Sequence, residues 1–394
     1  MKDRLTGSGA FLSLSAAAFI AGANLRIFDA LLPNVAADFS TTPASAAVVV
    51  TAFTLAYGLF QIVYGPVGDR VGKLRVIAVA ALVAGAASLV SSFAPSLRAL
   101  AVMRFIGGMG AAAIFPLSLA WIGDETPYEI RQATLGRLVG FLLLGQIMGP
   151  ALGGLMAQAL NWRRVFQVMA AVFAGVGLLV LREAAIRRSS AKLSAPGEGR
   201  RNRFRAYGEV LRDPWVRTII VVSFFEGAFF FGAFAYAGSY LKSRFLLSYA
   251  LTGAILAGYG IGAFIYTLFV RRMLILLGER GFVGAGGLVL LASFLLLAVL
   301  PAWQAAPPLM IATGFGFYMF HNTLQTKATE MAPGARGTGL AVFAFSLFMG
   351  QTAGVAAAGR LIPGTGYPAV FAAAGVLLFL LSRVFARRLM AKSV

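Results

Sequence analysis

Five ionisable side chains lie inside long apolar segments of this 394-residue sequence: Arg26, Asp29, Arg104, Glu226 and His321. A charge at the centre of a bilayer costs ~2.5–3.5 kcal/mol on the insertion scale, so such residues usually have a function. Buried carboxylates and a histidine can take up and release protons, and a nearby arginine favours the ionised form of a carboxylate. The pattern therefore indicates proton transfer inside an apolar environment.

Asp29 is the predicted proton carrier. Arg26 lies one helical turn before it, and Arg104 is expected at a similar depth in the fourth apolar segment. We predict that Arg104 favours the ionised form of Asp29, with Arg26 as a competing partner and Glu226 as the rival proton site. The alternative is a static ion pair that only orders the N-terminal half.

A binding role is predicted for Glu226 because it lies in a phenylalanine-rich run that includes Phe230 and Phe234. An acid beside aromatic faces suits a lipophilic or cationic compound. His321, Asn322 and Gln325 follow one another closely in a later segment and are predicted to orient that compound by hydrogen bonds. The alternatives are rings that face lipid and a histidine that serves only packing.

The residue inventory argues against an enzyme. The chain has one histidine and no cysteine, which excludes disulfides and leaves no usual zinc ligand set. It has no Gly-rich loop ending in Lys-Ser or Lys-Thr, so ATP is not expected to drive it. We therefore predict no metal, no cofactor and no catalytic residue, with a proton gradient as the energy source.

The segments that position these residues are membrane spans. Hydrophobic residues make up 59% of the chain, charged residues 12%, and the mean hydropathy is +0.82. A span needs roughly 20 apolar residues, and such runs predict an all-α membrane protein of about twelve helices. They lie at 9–33, 44–65, 75–94, 97–122, 137–160, 164–181, 215–241, 246–270, 281–300, 306–327, 338–361 and 367–385.

The basic residues predict the orientation. Apart from Arg26 and Arg104, 26 lysines and arginines fall on one face and six on the other. The positive-inside rule therefore places both termini in the cytoplasm of a multi-pass inner-membrane protein. The net charge of +20 then reflects topology and attraction to anionic lipid headgroups rather than binding of nucleic acid. We predict an N-terminal bundle over 1–182, a basic cytoplasmic linker over 183–213 and a C-terminal bundle over 214–394. An amphipathic surface helix is expected within the linker, around Phe204, Tyr207, Val210 and Leu211.

An internal repeat supports two halves. The segments 131–154 and 336–359 align at a fixed offset of 205 in the numbering, which matches Gly145-Gln146 with Gly350-Gln351. The same offset matches Gly149 with Gly354 and Gly154 with Gly359. We therefore expect two pseudo-symmetric six-helix bundles with a substrate site between them, near the middle of the bilayer.

Four sequence motifs resemble those of the major facilitator superfamily, and the resemblance covers nearly the whole chain. The motifs are GPVGDRVGK at 65–73, MRFIGGMGAA at 103–112, GQIMGPALGG at 145–154, and Asp29 followed by Pro33. The third and fourth motifs are similar to those of the twelve-span drug:proton antiporter branch, which is related to arabinose-efflux and multidrug-efflux proteins. In that fold, spans 1, 4, 7 and 10 line the central cavity, and these spans carry the five ionisable residues.

The resemblance also implies a conformational latch and a helix-packing motif. The latch consists of Gly65, Asp69, Arg70, Gly72, Lys73 and Asp124, with both glycines in a tight turn and Lys73 facing Asp124. The second half is expected to lack the corresponding acid. In the packing motif, small residues allow close helix contact and the proline adds a kink. The motif consists of Gly145, Gly149, Pro150, Gly153 and Gly154.

The expected function is that of a monomeric proton-coupled antiporter that exports small drug-like or lipophilic compounds by alternating access. Its partners are then the substrate, protons and membrane lipids, with no nucleic acid. Efflux of a sugar or related metabolite is the alternative within transport. A membrane sensor that transports nothing is the alternative from a different class.

Overall fold

The computed structural model describes residues 9–190, 211–331 and 336–392. Thirteen α-helices and one short 3-10 helix, Trp303–Ala305, form the described part of the chain. The α-helices are α1 (Gly9–Arg26), α2 (Phe28–Asp38), α3 (Pro43–Ala46), α4 (Val48–Val71), α5 (Lys73–Ser91), α6 (Leu97–Glu125), α7 (Tyr128–Ala159), α8 (Trp162–Ser190), α9 (Pro214–Phe234), α10 (Ala237–Phe245), α11 (Tyr249–Ala298), α12 (Ala306–Glu330) and α13 (Arg336–Lys392).

The predicted twelve-span membrane fold is confirmed. Within the described ranges, nine helical segments are long and apolar enough to cross a membrane. Two of them, α11 and α13, turn back at Gly278 (φ 62°) and Gly366 (φ 78°), so each contains two crossings. Both turns need the left-handed region, which glycine enters without steric cost. The less apolar α12 has 25 residues. At a rise of about 1.5 Å per residue, this length suffices for the twelfth crossing.

The sequence repeat is carried into the packing of the two bundles. A side chain at Gly145 would overlap the carbonyl of Phe19 in α1, and one at Gly350 would overlap the carbonyl of Phe224 in α9. Gly350 is the repeat counterpart of Gly145, and Phe224 is the counterpart of Phe19, because each pair is separated by the offset of 205. The reciprocal contacts of Gly22 with Leu142 and of Gly227 with Leu347 keep the same offset. The two halves therefore pack their first and fifth spans alike.

The second and fourth spans of the two bundles correspond at an offset that is longer by one position. Gly108 in α6 packs on the backbone of Phe53 in α4, and Gly314 in α12 packs on the backbone of Tyr259 in α11. One extra residue after the first span of the second half, balanced by one fewer before its fifth span, accounts for the two offsets. The helices that surround the bundle interface are thus related by the same pseudo-symmetry throughout.

The two bundles touch at one face and separate at the other. We call the face with the turns at Gly72 and Gly278 the basic face, and the face with Leu160 and Leu246 the opposite face. Near the opposite face, Gly154 of α7 lies against the backbone of α11. Towards the basic face, by contrast, no atom of the described residues lies within 4 Å of the position that a side chain at Gly140 would occupy. Along this side of α7 the bundles are therefore in contact near the opposite face and not at Gly140.

The largest differences from the predicted boundaries are in α7 and α8. The helix α7 begins at Tyr128 rather than 137, and α8 continues to Ser190, well into the predicted linker. Asp213 caps α9 by accepting a 2.7 Å hydrogen bond from the backbone of Trp215. Of the predicted amphipathic helix, only the exposed Leu211 is described. Phe204, Tyr207 and Val210 lie outside the described residues, and the limits of the linker and bundles stay predictions.

Candidate substrate and proton site

Asp29 lies near the opposite face, at the start of α2. Its Oδ2 atom is 3.8 Å from Nη1 of Arg26, and both residues are more than nine-tenths buried. Pro33 has no N–H, so the carbonyl of Asp29 lacks its usual helical donor. A side chain at Gly238 in α10 would overlap that carbonyl. The bundles are therefore in backbone contact beside the acid.

Arg104 does not pair with Asp29, which corrects the prediction. Its Nη1 atom donates a 3.1 Å hydrogen bond to Oδ1 of Asn24. Its guanidinium also lies over the rings of Phe28, at 4.4 Å, and Phe53, at 4.0 Å. Arg104 thus ties α6 to the first span through an amide and two aromatic faces. The competing partner, Arg26, is the one that Asp29 meets.

Arg26 crosses the interface between the bundles. Its guanidinium carbon lies 4.1 Å from the ring centroid of Phe231, 5.4 Å from that of Tyr259 and 5.9 Å from that of Phe234. All three rings belong to the second bundle. Cation–π attraction of this kind contributes about 0.5–2 kcal/mol, depending on how much water is excluded. Arg26 therefore contacts both Asp29, the predicted proton carrier, and three rings of the second bundle.

The second bundle contains its own acid–base pair. Oε2 of Glu226 in α9 and Nδ1 of His321 in α12 are 2.9 Å apart, and Glu226 is completely buried. The imidazole stacks on the ring of Phe317 at 4.9 Å and 13°. Within the described residues, the second carboxylate oxygen, Oε1, has no hydrogen-bond partner. Burial of such an oxygen costs free energy unless a hydrogen-bond donor reaches it in another conformation or from a bound compound.

The aromatic prediction needs a correction at Phe230. Its ring is fully buried inside the second bundle, 4.2 Å from that of Phe317 and 5.9 Å from that of Phe294. Phe234 lies closer to the interface, 4.9 Å from Tyr259. The neighbouring Phe231, which the prediction did not include, is the ring that Arg26 approaches most closely.

Polar groups extend the site towards the basic face. Nδ2 of Asn322 donates a 2.5 Å hydrogen bond to the hydroxyl of Tyr266. The hydroxyl of Tyr318 donates across the bundle interface to Oε1 of Gln146, at 3.5 Å. Gln325 is exposed, one turn further along α12. The sequence analysis missed these tyrosines, although Tyr318 lies three residues before His321 and so shares its side of the helix.

The predicted latch residues meet within the first bundle. Nζ of Lys73 lies 3.0 Å from Oδ1 of Asp69 and 2.5 Å from Oδ2 of Asp124, which joins α4, α5 and α6. Gly72 forms the turn with φ 102°, whereas Gly65 lies inside α4 and takes no part in it. The prediction of Gly65 as a turn residue is therefore wrong. Arg70 is exposed beside the turn.

The second bundle also has an ion cluster at this face, although the counterpart of Asp69 is Ile275 and the predicted absence of an equivalent acid therefore stands. Lys327 of α12 pairs with Glu279 at 3.0 Å and with Glu330 at 3.8 Å. Glu279 is the counterpart of Lys73, because each directly follows one of the equivalent glycine turns. The acid was missed because it replaces the lysine rather than Asp69, so the sign of the charge is reversed.

The residues of the packing motif divide between two partners. Gly145 and Gly149 contact the backbone of α1 at Phe19 and Ala23, and Gly153 contacts the side chain of Ile27. Gly154 instead faces α11 of the other bundle. A side chain at Gly253 there would overlap the carbonyl of Pro150. The motif therefore packs α7 on its own bundle and closes the interface near the opposite face.

Comparison with known proteins adds a family match. Residues 14–350 match the family model described as Major Facilitator Superfamily. The chain is 26% identical over 383 residues to the uncharacterized MFS-type transporter YwfA of Bacillus subtilis (strain 168), covering 95% of this chain and 91% of that protein. It is 30% identical over 155 residues to the MFS thioclapurine efflux transporter tcpA of Claviceps purpurea (strain 20.1), covering 39% of this chain and 28% of that protein.

Among solved structures, a crystal structure of a mutant of the nucleoside transporter NupG superposes with a TM-score of 0.78. The superposition covers 95% of this chain and 98% of that one, at 14% sequence identity. At this identity the likeness supports the fold and not the substrate.

Proposed function

Since the chain belongs to the major facilitator superfamily, we propose that it is a proton-coupled antiporter that exports small, drug-like or lipophilic organic compounds across the cytoplasmic membrane. The basic face is taken as cytoplasmic, because positively charged loops are retained on that side. The protein then works as a monomer, with the proton gradient as its energy source. In the present conformation its interface is open to the cytoplasm.

The observation that carries the proposal is the buried contact of Arg26 with Asp29 on one side and Phe231 on the other. The contact couples two events because one guanidinium serves both partners. Opening of the opposite face would withdraw Phe231 and admit water to Asp29. A proton could then enter from outside, where the gradient supplies it.

Return to the present conformation would release that proton. When the opposite face closes, Arg26 again lies between the ring and the carboxylate, and a nearby guanidinium favours the ionised form of an acid. The proton leaves towards the cytoplasm while a substrate enters from there. A ligand shifts such an equilibrium only by its difference in affinity for the two states, and here the proton and the substrate favour opposite ones.

The proposed substrate site lies around Glu226, His321 and Phe231. The unpaired Oε1 of Glu226 can accept a hydrogen bond from a cationic or neutral donor. The neighbouring aromatic rings favour a compound with apolar surface. The efflux function in the name of the Claviceps relative is consistent with export, although the similarity covers 39% of this chain.

Proton movement in liposomes tests the proposal. Purified protein is reconstituted with an imposed pH gradient and a pH-sensitive dye, and lipophilic cations, neutral antibiotics and sugars are added in turn. We expect one compound class to evoke proton movement, and Asp29→Asn to remove it. Asp38→Asn is the matched control, because Asp38 is on the same helix but is exposed and paired with Arg163 at 2.9 Å.

Substrate counterflow without proton movement would contradict antiport and indicate a facilitator. A response to sugars alone would favour the second candidate, efflux of a sugar or related metabolite. The observation in favour of that candidate is the row of hydroxyl and amide groups at Tyr266, Tyr318 and Asn322, which could bind a polyhydroxylated compound.

A further inference from the structure

A pocket on the basic face of the second bundle lies apart from the interface between the bundles. Its volume is about 600 Å³, and it lies between the turn of α11 at Gly278 and the last turns of α13. Arg280, Arg383 and Arg387 line it together with the apolar Leu277. We propose that this pocket binds the phosphate headgroup of an anionic phospholipid. The proposal is independent of the transported compound.

The charge of the pocket is strongly positive. Among the described residues, Glu279 is the one acid in its lining, and its carboxylate already accepts a 3.0 Å charged hydrogen bond from Lys327. In the described part of the chain, no carboxylate forms an ion pair with Arg280, Arg383 or Arg387. Three guanidinium groups therefore face one cavity without acidic partners, which suits a phosphate group.

The fold brings these arginines together from two helices. Arg383 and Arg387 are four residues apart, on one side of α13. The Nη1 atom of Arg383 lies 3.4 Å from the position that a side chain at Gly284 would occupy, so its guanidinium reaches across to the second half of α11. The turn at Gly278 places Arg280 at the mouth of the same cavity.

The surface next to the pocket indicates a lipid rather than free phosphate. Val376, Leu380 and Val384 recur every fourth residue along α13 and are 43%, 52% and 51% exposed. This apolar stripe lies on the same side of the helix as Arg383 and Arg387 and ends beside them. A phospholipid can lay its acyl chains on the stripe while the arginines hold its headgroup. Basic pockets on the cytoplasmic side of membrane proteins bind such headgroups.

Native mass spectrometry of the full-length protein in detergent tests the proposal. The protein is titrated with phosphatidylglycerol, phosphatidylcholine and inorganic phosphate separately. We expect one phosphatidylglycerol to be retained and neither of the other two. In the double variant Arg383→Gln/Arg387→Gln, the affinity for phosphatidylglycerol should fall about 30-fold, since each basic residue near anionic lipid contributes about fivefold.

The matched control is Arg271→Gln/Arg272→Gln, which removes two exposed arginines from the same face outside the pocket. We expect the control pair to change the affinity about twofold or less. Arg383→Lys/Arg387→Lys should keep most of the binding, and an unchanged melting temperature shows that each variant is folded.

Three results would overturn the proposal. Equal losses of phosphatidylglycerol affinity in Arg383→Gln/Arg387→Gln and in Arg271→Gln/Arg272→Gln would mean that the lipid responds only to the overall charge of the face. Unchanged affinity in the pocket pair would place the lipid elsewhere. Retention of inorganic phosphate at the affinity of phosphatidylglycerol would make the pocket a site for free phosphate.

Discussion

The two bundles share their backbone contacts but differ in their buried charges. Gly145 and its repeat counterpart Gly350 approach the first span of their own bundle in the same way. The first bundle buries Arg26, Asp29 and Arg104, whereas the second buries Glu226 and His321. Close helix packing tolerates few residue types, so the small residues persist in both halves. The buried ionisable side chains are not under that constraint, and they differ between the halves.

The clearest case of divergence is a pair of equivalent positions that meet. Arg26 and Phe231 are related by the offset of the sequence repeat, and the guanidinium of one lies 4.1 Å from the ring centroid of the other. Equivalent positions near a pseudo-twofold axis face each other. Two arginines there would repel, whereas an arginine and an aromatic ring attract. The difference between the halves therefore favours contact between these two positions.

The ion pairs at the basic face also combine a shared backbone with different charges. Lys73 and its counterpart Glu279 follow equivalent glycine turns, at Gly72 and Gly278, but carry opposite charges. Lys73 pairs with Asp124 of α6, and Glu279 pairs with Lys327 of α12. Both partners are on the fourth membrane span of their own bundle. The turn geometry is common to both halves, while the sign of the charge is not.

The largest expected effect tests the shared contacts. Gly145→Ala and Gly350→Ala would each press a methyl group into a carbonyl oxygen, at Phe19 and Phe224. We expect each to destabilise the protein by about 3 kcal/mol, the upper range for overpacking. Thermal unfolding in detergent, monitored by size-exclusion chromatography, measures the loss of stability. A loss of stability in only one of the two variants would show that the two bundles do not share this helix contact.

Gly136→Ala is the control for this pair. Apart from the adjacent backbone of α7 itself, no atom of the described residues lies within 4 Å of the position its side chain would occupy. Alanine in an exposed helix is more favourable than glycine by roughly 0.5–1 kcal/mol. This variant should therefore be as stable as the parent or slightly more stable, which is opposite in sign to the other two.

The next effect tests whether the two buried acids have different functions. Glu226→Gln removes the charge that faces His321 and the proposed substrate. A hydrogen bond to a charged group contributes about 1.5–3 kcal/mol, so the substrate affinity should fall about 10- to 100-fold. Proton movement at saturating substrate should persist, in contrast to Asp29→Asn.

Equilibrium binding of the compound class identified in liposomes measures the change caused by Glu226→Gln. Glu330→Gln is the control, because Glu330 is in the same bundle but exposed. Loss of proton movement in Glu226→Gln, with the affinity unchanged, would transfer the coupling function to the second bundle.

A smaller effect concerns the attraction between the halves. Phe231→Leu keeps an apolar side chain but removes the ring under Arg26. A contribution of about 1 kcal/mol corresponds to an approximately fivefold shift towards opening of the opposite face. The chain has no cysteine, so spin labels can be attached through cysteines introduced at the exposed Leu160 and Ser243. Their distance distribution reports the shift.

Phe225→Leu is the matched control for Phe231→Leu. Phe225 is on the same helix, is 40% exposed and stacks on Phe229 rather than on Arg26. Its substitution should leave the distance distribution unchanged. Equal shifts in both variants would show that the helix responds to any lost ring, and that cation–π attraction does not hold the face closed.

The smallest effect concerns the charge-reversed ion pairs. Lys73→Gln and Lys327→Gln each break pairs in which the acids are one-third or more exposed. Such pairs contribute about 0.5 kcal/mol, so each melting temperature should fall by about 2 °C or less. The exposed Arg70→Gln serves as the control. A fall of more than about 5 °C in one bundle alone would show that the two clusters are not equivalent.

Much of the architecture followed from local patterns in the sequence. Long apolar runs predicted the spans, because the bilayer requires about the same length of each. The repeat of Gly145 and Gly350 predicted two similar halves, and the contacts of both glycines agree with it. The ion pair of Glu279 was not predicted because the second half has no acid at the position of Asp69 and places an acid where the first half has Lys73.

The sequence by itself determined the membrane class, the number of crossings, the internal repeat and the candidate buried charges. Only the tertiary structure decided their partners: Asn24 for Arg104, Phe231 for Arg26 and His321 for Glu226. Successive helical residues differ by about 100° in direction, so Phe230 enters the core of its own bundle while Phe231 meets the other. Which direction becomes an interface depends on how each helix is rotated and packed, and residues far apart in the chain establish that together.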